Sequence, residues 1–243
     1  MLRMKRFLAG LAIAVSLTLV VGQAFASGEG SGVTPDEALK KLMDGNARFM
    51  KDDKEYLNWG EARRQELAKG QHPFATILGC SDSRVPPEHI FDQELGDLFV
   101  VRVAGNVADP IELGSVEYAA EHLNVPLVMV MGHRKCGAVT ASLPDSKPEG
   151  NIGAIIKKIK PAVKKAEKGI KDKEKLLDAA IEENAKLTAK TLTEKSEILK
   201  HLVGEGKVKI VVGVYDLANG KVSLLDSGED VKKEEKGHEG HKH

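Results

Sequence analysis

Two short segments hold the residue types from which a reactive centre can be built. Cys80-Ser81-Asp82-Ser83-Arg84 follows one apolar run, and His133-Arg134-Lys135-Cys136 follows another. Two thiolates and an imidazole form a soft three-donor set that suits zinc and leaves a fourth position for water or another group. Three protein ligands is the catalytic count. A structural zinc site would want a fourth cysteine or histidine, and the chain has only 2 cysteines. His-x-x-Cys is a weak signal by itself, because a core histidine near a cysteine is commonplace. Its weight comes from the second cluster placed at another strand end.

The elements that must position these segments can be read from apolar spacing. Phe74 to Leu78 is a short apolar run stopped by Gly79, a buried strand that delivers Cys80 to its carboxyl end. Leu98 to Val103 repeats the pattern, and Pro126 to Met131 is the next buried strand, closing at Gly132-His133. Between them, Asp109-Pro110 followed by Glu112 starts a helix with Val116, Ala119, Ala120 and Leu123 on one face. Strands alternating with helices imply an α/β fold with a mostly parallel central β-sheet flanked by helices, where ligands gather beyond the carboxyl ends of the strands. Thr34-Pro35-Asp36-Glu37 caps an amphipathic helix through Leu39, Leu42, Met43, Ala47 and Met50, which forms an amino-terminal helical arm. A second, more charged helix is expected over Gly60 to Ala68. From Ile152 to about His201 the pattern is helical and lysine-rich, a solvated face broken at Pro161 and around Gly169. Lys207–Tyr215 and Lys221–Leu225, joined through Asn219-Gly220, read as a final hairpin.

At the amino end, Arg3, Lys5 and Arg6 precede the apolar stretch Phe7–Val21 and then Ala24-Phe25-Ala26, the order of a secretory signal peptide cut after Ala26. The apolar stretch holds Gly10 and Ser16 and is too short for the roughly 18 residues of a membrane anchor. Residues 1–26 are therefore the signal peptide, 27–226 one domain and 227–243 a charged, histidine-bearing tail. The chain is expected to be exported, in the periplasm, with no stable membrane anchor. In such an oxidising compartment two cysteines would also serve as one disulfide. Lysine plus arginine balances aspartate plus glutamate at 36 each, so no strong field draws the protein to nucleic acid.

The blocks "CSDSRVPPE" from Cys80 and "GHRKCGAV" from Gly132 resemble the two signature segments of the β-carbonic anhydrases, and "RVAGNVADP", "GSVEYAAEHL", "NIGAIIKKIKPAV" and "VGVYDLANGKV" extend the resemblance. It implies Cys80, His133 and Cys136 as zinc ligands and CO2 and bicarbonate as substrate and product. It also implies that Asp82 acts beside the metal, as a hydrogen-bond acceptor or a fourth ligand, with Arg84 pairing to it and holding it off. Gln71 matches a residue that hydrogen-bonds substrate in the plant-type branch, and Phe99 and Tyr118 match apolar residues lining its pocket. A homodimer or higher homo-oligomer is implied, with the amino-terminal helices wrapping a partner and the sites near the interface. Ile77 stands where some bacterial members carry a tryptophan of a regulatory bicarbonate pocket, so that pocket is not expected here. Two other functions fit the same ligand set. A related zinc hydrolase could act on CS2 or COS, and a non-catalytic zinc protein could merely bind the ion.

Overall fold

The structure, a computed structural model, describes residues 30–53, 58–144 and 150–226. Along the chain lie α1 (Pro35–Met50), α2 (Glu61–Leu67), β1 (Ala75–Gly79), α3 (Pro87–Ile90), β2 (Leu98–Arg102), a 3-10 turn at Ala104–Asn106, α4 (Pro110–His122), β3 (Leu127–His133), α5 (Gly137–Thr140), α6 (Ile152–Ala166), α7 (Lys173–Lys195), α8 (Glu197–Gly204), β4 (Lys209–Tyr215) and β5 (Val222–Leu225). The strands form one sheet in the order β2-β1-β3-β4-β5. Pairing is parallel except between β4 and β5, so the expected α/β class and the closing hairpin are both present.

Both faces of the sheet are covered. Along β3, Leu127, Met129 and Met131 enter an apolar cluster with Ala38, Leu42 and Phe91, while Val128 and Val130 enter another with Val116, Ala189 and Leu199. That two-sided burial is why the central strands read as uninterrupted apolar runs. Capping boxes at Thr34/Glu37 and Asp109/Glu112 start α1 and α4 as their sequences require. α1 docks on its own chain. Gly45 lets it approach closely, since a Cβ there would stand 1.7 Å from the carbonyl oxygen of Phe91. Beside it, buried Asn46 donates to the carbonyls of Ile90 (3.1 Å) and Gly220 (2.8 Å) and accepts from the Val222 amide (2.9 Å).

The lysine-rich stretch needs one correction. No break occurs at Pro161, which lies inside α6 on its exposed side. The hydrogen bond that a proline forfeits falls there on the solvent face, and the burial of Ile156, Ile159, Ala162 and Val163 holds the helix together. The break near Gly169 is real. A further interruption falls at Ser196, whose side chain accepts from the Leu199 amide and caps α8. The signal-peptide and tail readings, over residues 1–26 and 227–243, lie outside the described residues, and among those described no helix is long and apolar enough to cross a membrane.

Candidate metal centre

Cys80 follows β1 directly, and His133 is the last residue of β3, the neighbouring strand. Gly79 pairs with Met131, so the parallel register brings the two strand ends to the same edge of the sheet. Lys135 then adopts a left-handed backbone, φ 56°, that turns the chain back and returns Cys136 towards His133. The result is a buried trio. The donor atoms of Cys80, His133 and Cys136 all lie within 4.8 Å of one another, and the residues are 4%, 0% and 1% exposed. Both cysteines are free thiols rather than a disulfide.

The imidazole shows which atom would meet a metal. His133 Nδ1 lies 3.0 Å from the carbonyl oxygen of Arg134, and a carbonyl can only accept, so Nδ1 carries the proton. Nε2 therefore holds the lone pair, and it is buried without a hydrogen-bond partner. An orphaned acceptor beside two sulfurs fits a thiophilic cation, and the donor set is that of zinc. The Cys80 thiol is held down to about 4, chiefly by the hydrogen bond from Cys136, with burial opposing and the Gly105 and Asp82 backbone amides assisting. Cys136 is pushed far above the usual thiol range, first by that same hydrogen bond and then by burial and the Cys80 charge. A cation held by the two sulfurs would take the place of the proton they share.

Asp82 flanks the trio, with Oδ2 3.8 Å from His133 Nε2. Arg84 grips both carboxylate oxygens, Nε to Oδ1 at 2.9 Å and Nη2 to Oδ2 at 2.7 Å, and its backbone amide adds a third bond to Oδ1 at 3.0 Å. Those Arg84 hydrogen bonds hold the Asp82 carboxyl well below the usual carboxylate range.

Three contributors went unnoticed in the sequence. Arg102, at the end of β2, donates from Nε to the Cys80 carbonyl (2.8 Å) and from Nη2 to the Asp82 carbonyl (2.5 Å), tying down the first ligand loop. Its signal was a lone arginine closing an apolar run. The Gly105 amide donates to Cys80 Sγ at 3.3 Å. Arg134, inside the second ligand block, pairs with Glu182 of α7 at 2.5 Å and so braces that block.

The expected substrate residues are placed otherwise. Phe99 and Tyr118 meet each other, ring centroids 6.2 Å apart, but Phe99 pairs with Thr76 near the start of β1, three residues short of the end that bears Cys80. Gln71 is exposed and precedes β1, so the strand's five residues, about 16 Å of chain, separate it from Cys80. The structure does not bring these three residues to the metal-binding trio of their own chain.

A family model described as "Carbonic anhydrase" matches residues 75–222. Carbonic anhydrase 2 of Mycobacterium tuberculosis is 39% identical over 196 residues, which cover 79% of this chain and 93% of that protein. Among solved structures, the β-carbonic anhydrase CafA of Aspergillus fumigatus superposes with a TM-score of 0.65 at 28% identity, covering 83% of this chain and 97% of that one. A Coccomyxa β-carbonic anhydrase in complex with acetazolamide gives 0.62 at 27% identity, over 66% and 75% of the respective chains.

Proposed function

The chain belongs to the β-class carbonic anhydrases, zinc enzymes that hydrate CO2 reversibly to bicarbonate and a proton, and on that premise we propose that Cys80, His133 and Cys136 hold the zinc while Asp82, steadied by Arg84, handles the proton of the reacting water. When bound, zinc supplies a Lewis acid that makes water acidic enough to ionise near neutral pH. The remaining roles fall to the chain itself. Ionised Asp82 can only accept, so Oδ2 takes a hydrogen bond from the reacting O–H and turns the oxygen's lone pair towards CO2. Arg84 orients that carboxylate and keeps it from moving in among the metal donors. Arg102 and the Gly105 amide fix the loop and the sulfur to which all of this is referred.

The observation that carries the reading is the pairing of a buried, orphaned His133 Nε2 with two sulfurs within 4.8 Å, flanked by a carboxylate whose two oxygens are both engaged by one guanidinium. The test is metal analysis of the purified protein combined with hydration kinetics, and with CS2 and COS offered as competing substrates. About one zinc per chain with fast CO2 turnover is expected. A fully zinc-loaded protein that hydrates CO2 near the uncatalysed rate would refute it.

Two chains, on this reading, associate along β2. That strand is an edge of the sheet, and edge strands offer unpaired backbone groups to a second copy. Beside it, Ile111 is 81% and Tyr118 47% exposed, an apolar surface next to half-buried Phe99. Gln71, Phe99 and Tyr118 would then line a site in the partner rather than their own. Light scattering on the wild type and on Ile111→Glu tests this, with a dimer or larger assembly expected to fall apart in the variant. Export and cleavage after Ala26 are proposed from the order of charge, apolar run and Ala24-Phe25-Ala26. Amino-terminal sequencing of the protein recovered outside the cytoplasm is expected to begin at Ser27.

A further inference from the structure

α7 buries a stripe of Ala180, Ile181, Ala185, Ala189 and Leu192, and Asn184 sits in the middle of it, 1% exposed. An asparagine is a poor helix former, and a carboxamide taken out of water is costly unless it is hydrogen-bonded, so a buried one in an apolar stripe calls for a partner. Its Nδ2 donates to the Gly105 carbonyl at 2.8 Å. Gly105 has a left-handed backbone, φ 74°, in the 3-10 turn, and its own amide donates to Cys80 Sγ. On its other side the turn is walled in, since a Cβ at Gly105 would lie 2.6 Å from Ile159 Cδ1 and 3.1 Å from Ala138 Cβ. The same helix carries Glu182, which braces the second ligand block through Arg134.

From this arrangement we propose that Asn184 is a positioning residue for the zinc-binding sulfur of Cys80, acting through Gly105. A glycine in a short turn has backbone freedom that packing alone limits on one side only. The turn is closed by the Asn106 amide on the Val103 carbonyl (2.9 Å), and the Asn184 bond adds a restraint on Gly105 itself that keeps its N–H aimed at the sulfur. An N–H donor at a thiolate draws charge from it and fixes where it would present its lone pairs to a metal. Without Asn184 the turn relaxes, the Gly105 N–H is no longer held on the sulfur, and Cys80 is less well placed against the other two donors.

The inference rests on the assignment of Cys80, His133 and Cys136 as the zinc ligands, and its test keeps the two separable. Cobalt(II)-substituted wild type is expected to show a sulfur-to-metal charge-transfer band. Asn184→Ala is expected to shift that band to lower energy, and the zinc form to release its metal to a chelator about tenfold faster. Asn184→Leu, which fills the space instead of emptying it, serves if the alanine variant does not fold. Leu192→Ala lies on the same helix but in a different core cluster from Cys80 and Cys136, so it is expected to lower stability and leave band and release rate alone. Unmoved band and rate in the Asn184 variants overturn the proposal, as does an equal shift in Leu192→Ala. A wild type without the band overturns the ligand assignment, and this inference with it.

Discussion

Replacing Arg84 by alanine tests the division of labour at the site. The substitution removes both side-chain hydrogen bonds to Asp82, leaving Oδ1 with the backbone amide of residue 84 and Oδ2 with nothing from that side. In the wild type Oδ2 stands 3.8 Å from His133 Nε2. Two donors on one tetrahedral zinc, at about 2.0–2.2 Å from the ion, stand about 3.4 Å apart. A displacement of roughly half an ångström, well within the reach of a freed aspartate side chain, would bring Oδ2 to a ligand-like separation from Nε2, and the carboxylate would then be able to serve as a fourth ligand in place of the reacting water. Zinc content should stay near one per chain while hydration falls about 10–100-fold, the range for loss of a partner outside the ligand set. Elemental analysis and stopped-flow CO2 hydration on the same sample read the two quantities. Full activity with zinc bound would show that Asp82 needs no restraint, and the roles given to both residues would fall.

Cys136→Ser should lose most of the zinc and the activity together, measured by metal content after dialysis, because two remaining donors make a weak site. Removing the chain after Ser227 should leave hydration rates unchanged, since every residue placed at the site precedes it. Asn46→Ala, which strips three hydrogen bonds from buried or half-buried backbone groups, should cost about 3–5 kcal/mol by denaturant unfolding, with activity retained below the transition. Asp82 has a depressed carboxyl pKa, so its pairing with Arg84 stabilises the fold above the unfolded value of about 3.9 and that contribution fades as pH falls through the lower folded value. Asp82→Asn should accordingly be slightly less stable than the wild type near neutral pH and lose less stability as pH falls below about 4, the effect kept small by the exposure of Arg84.

What could be read in advance was whatever leaves a local mark. A strand buried on both faces is an unbroken apolar run, which is why β1 and β3 are legible in the sequence with Cys80 and His133 at their carboxyl ends. Capping boxes act over three residues and were equally legible at Thr34 and Asp109. Pro161 misled because a proline's helix-breaking tendency is local while the packing that overrides it, α6 on α7, is not. Asn46, Arg102 and Asn184 were invisible for the same reason, each making its bonds to residues 20 or more positions away. The roles of Gln71, Phe99 and Tyr118 rest on resemblance alone. Whether they serve a site depends on a second copy, which no pattern within one chain can display.

The register of β1 on β3 works as a ruler for the metal centre. Cys80 reaches its place because Gly79 is level with Met131, and His133 because β3 runs on two residues further. Deleting a single residue within β1 would draw Cys80 back by about 3.3 Å and, because side chains alternate, turn its sulfur to the opposite face of the sheet. Such a change alters no ligand and still abolishes the site. The metal-binding unit of this protein is thus a pair of adjacent strands at fixed stagger, and anyone moving it to another scaffold would have to transplant the stagger along with the three donors.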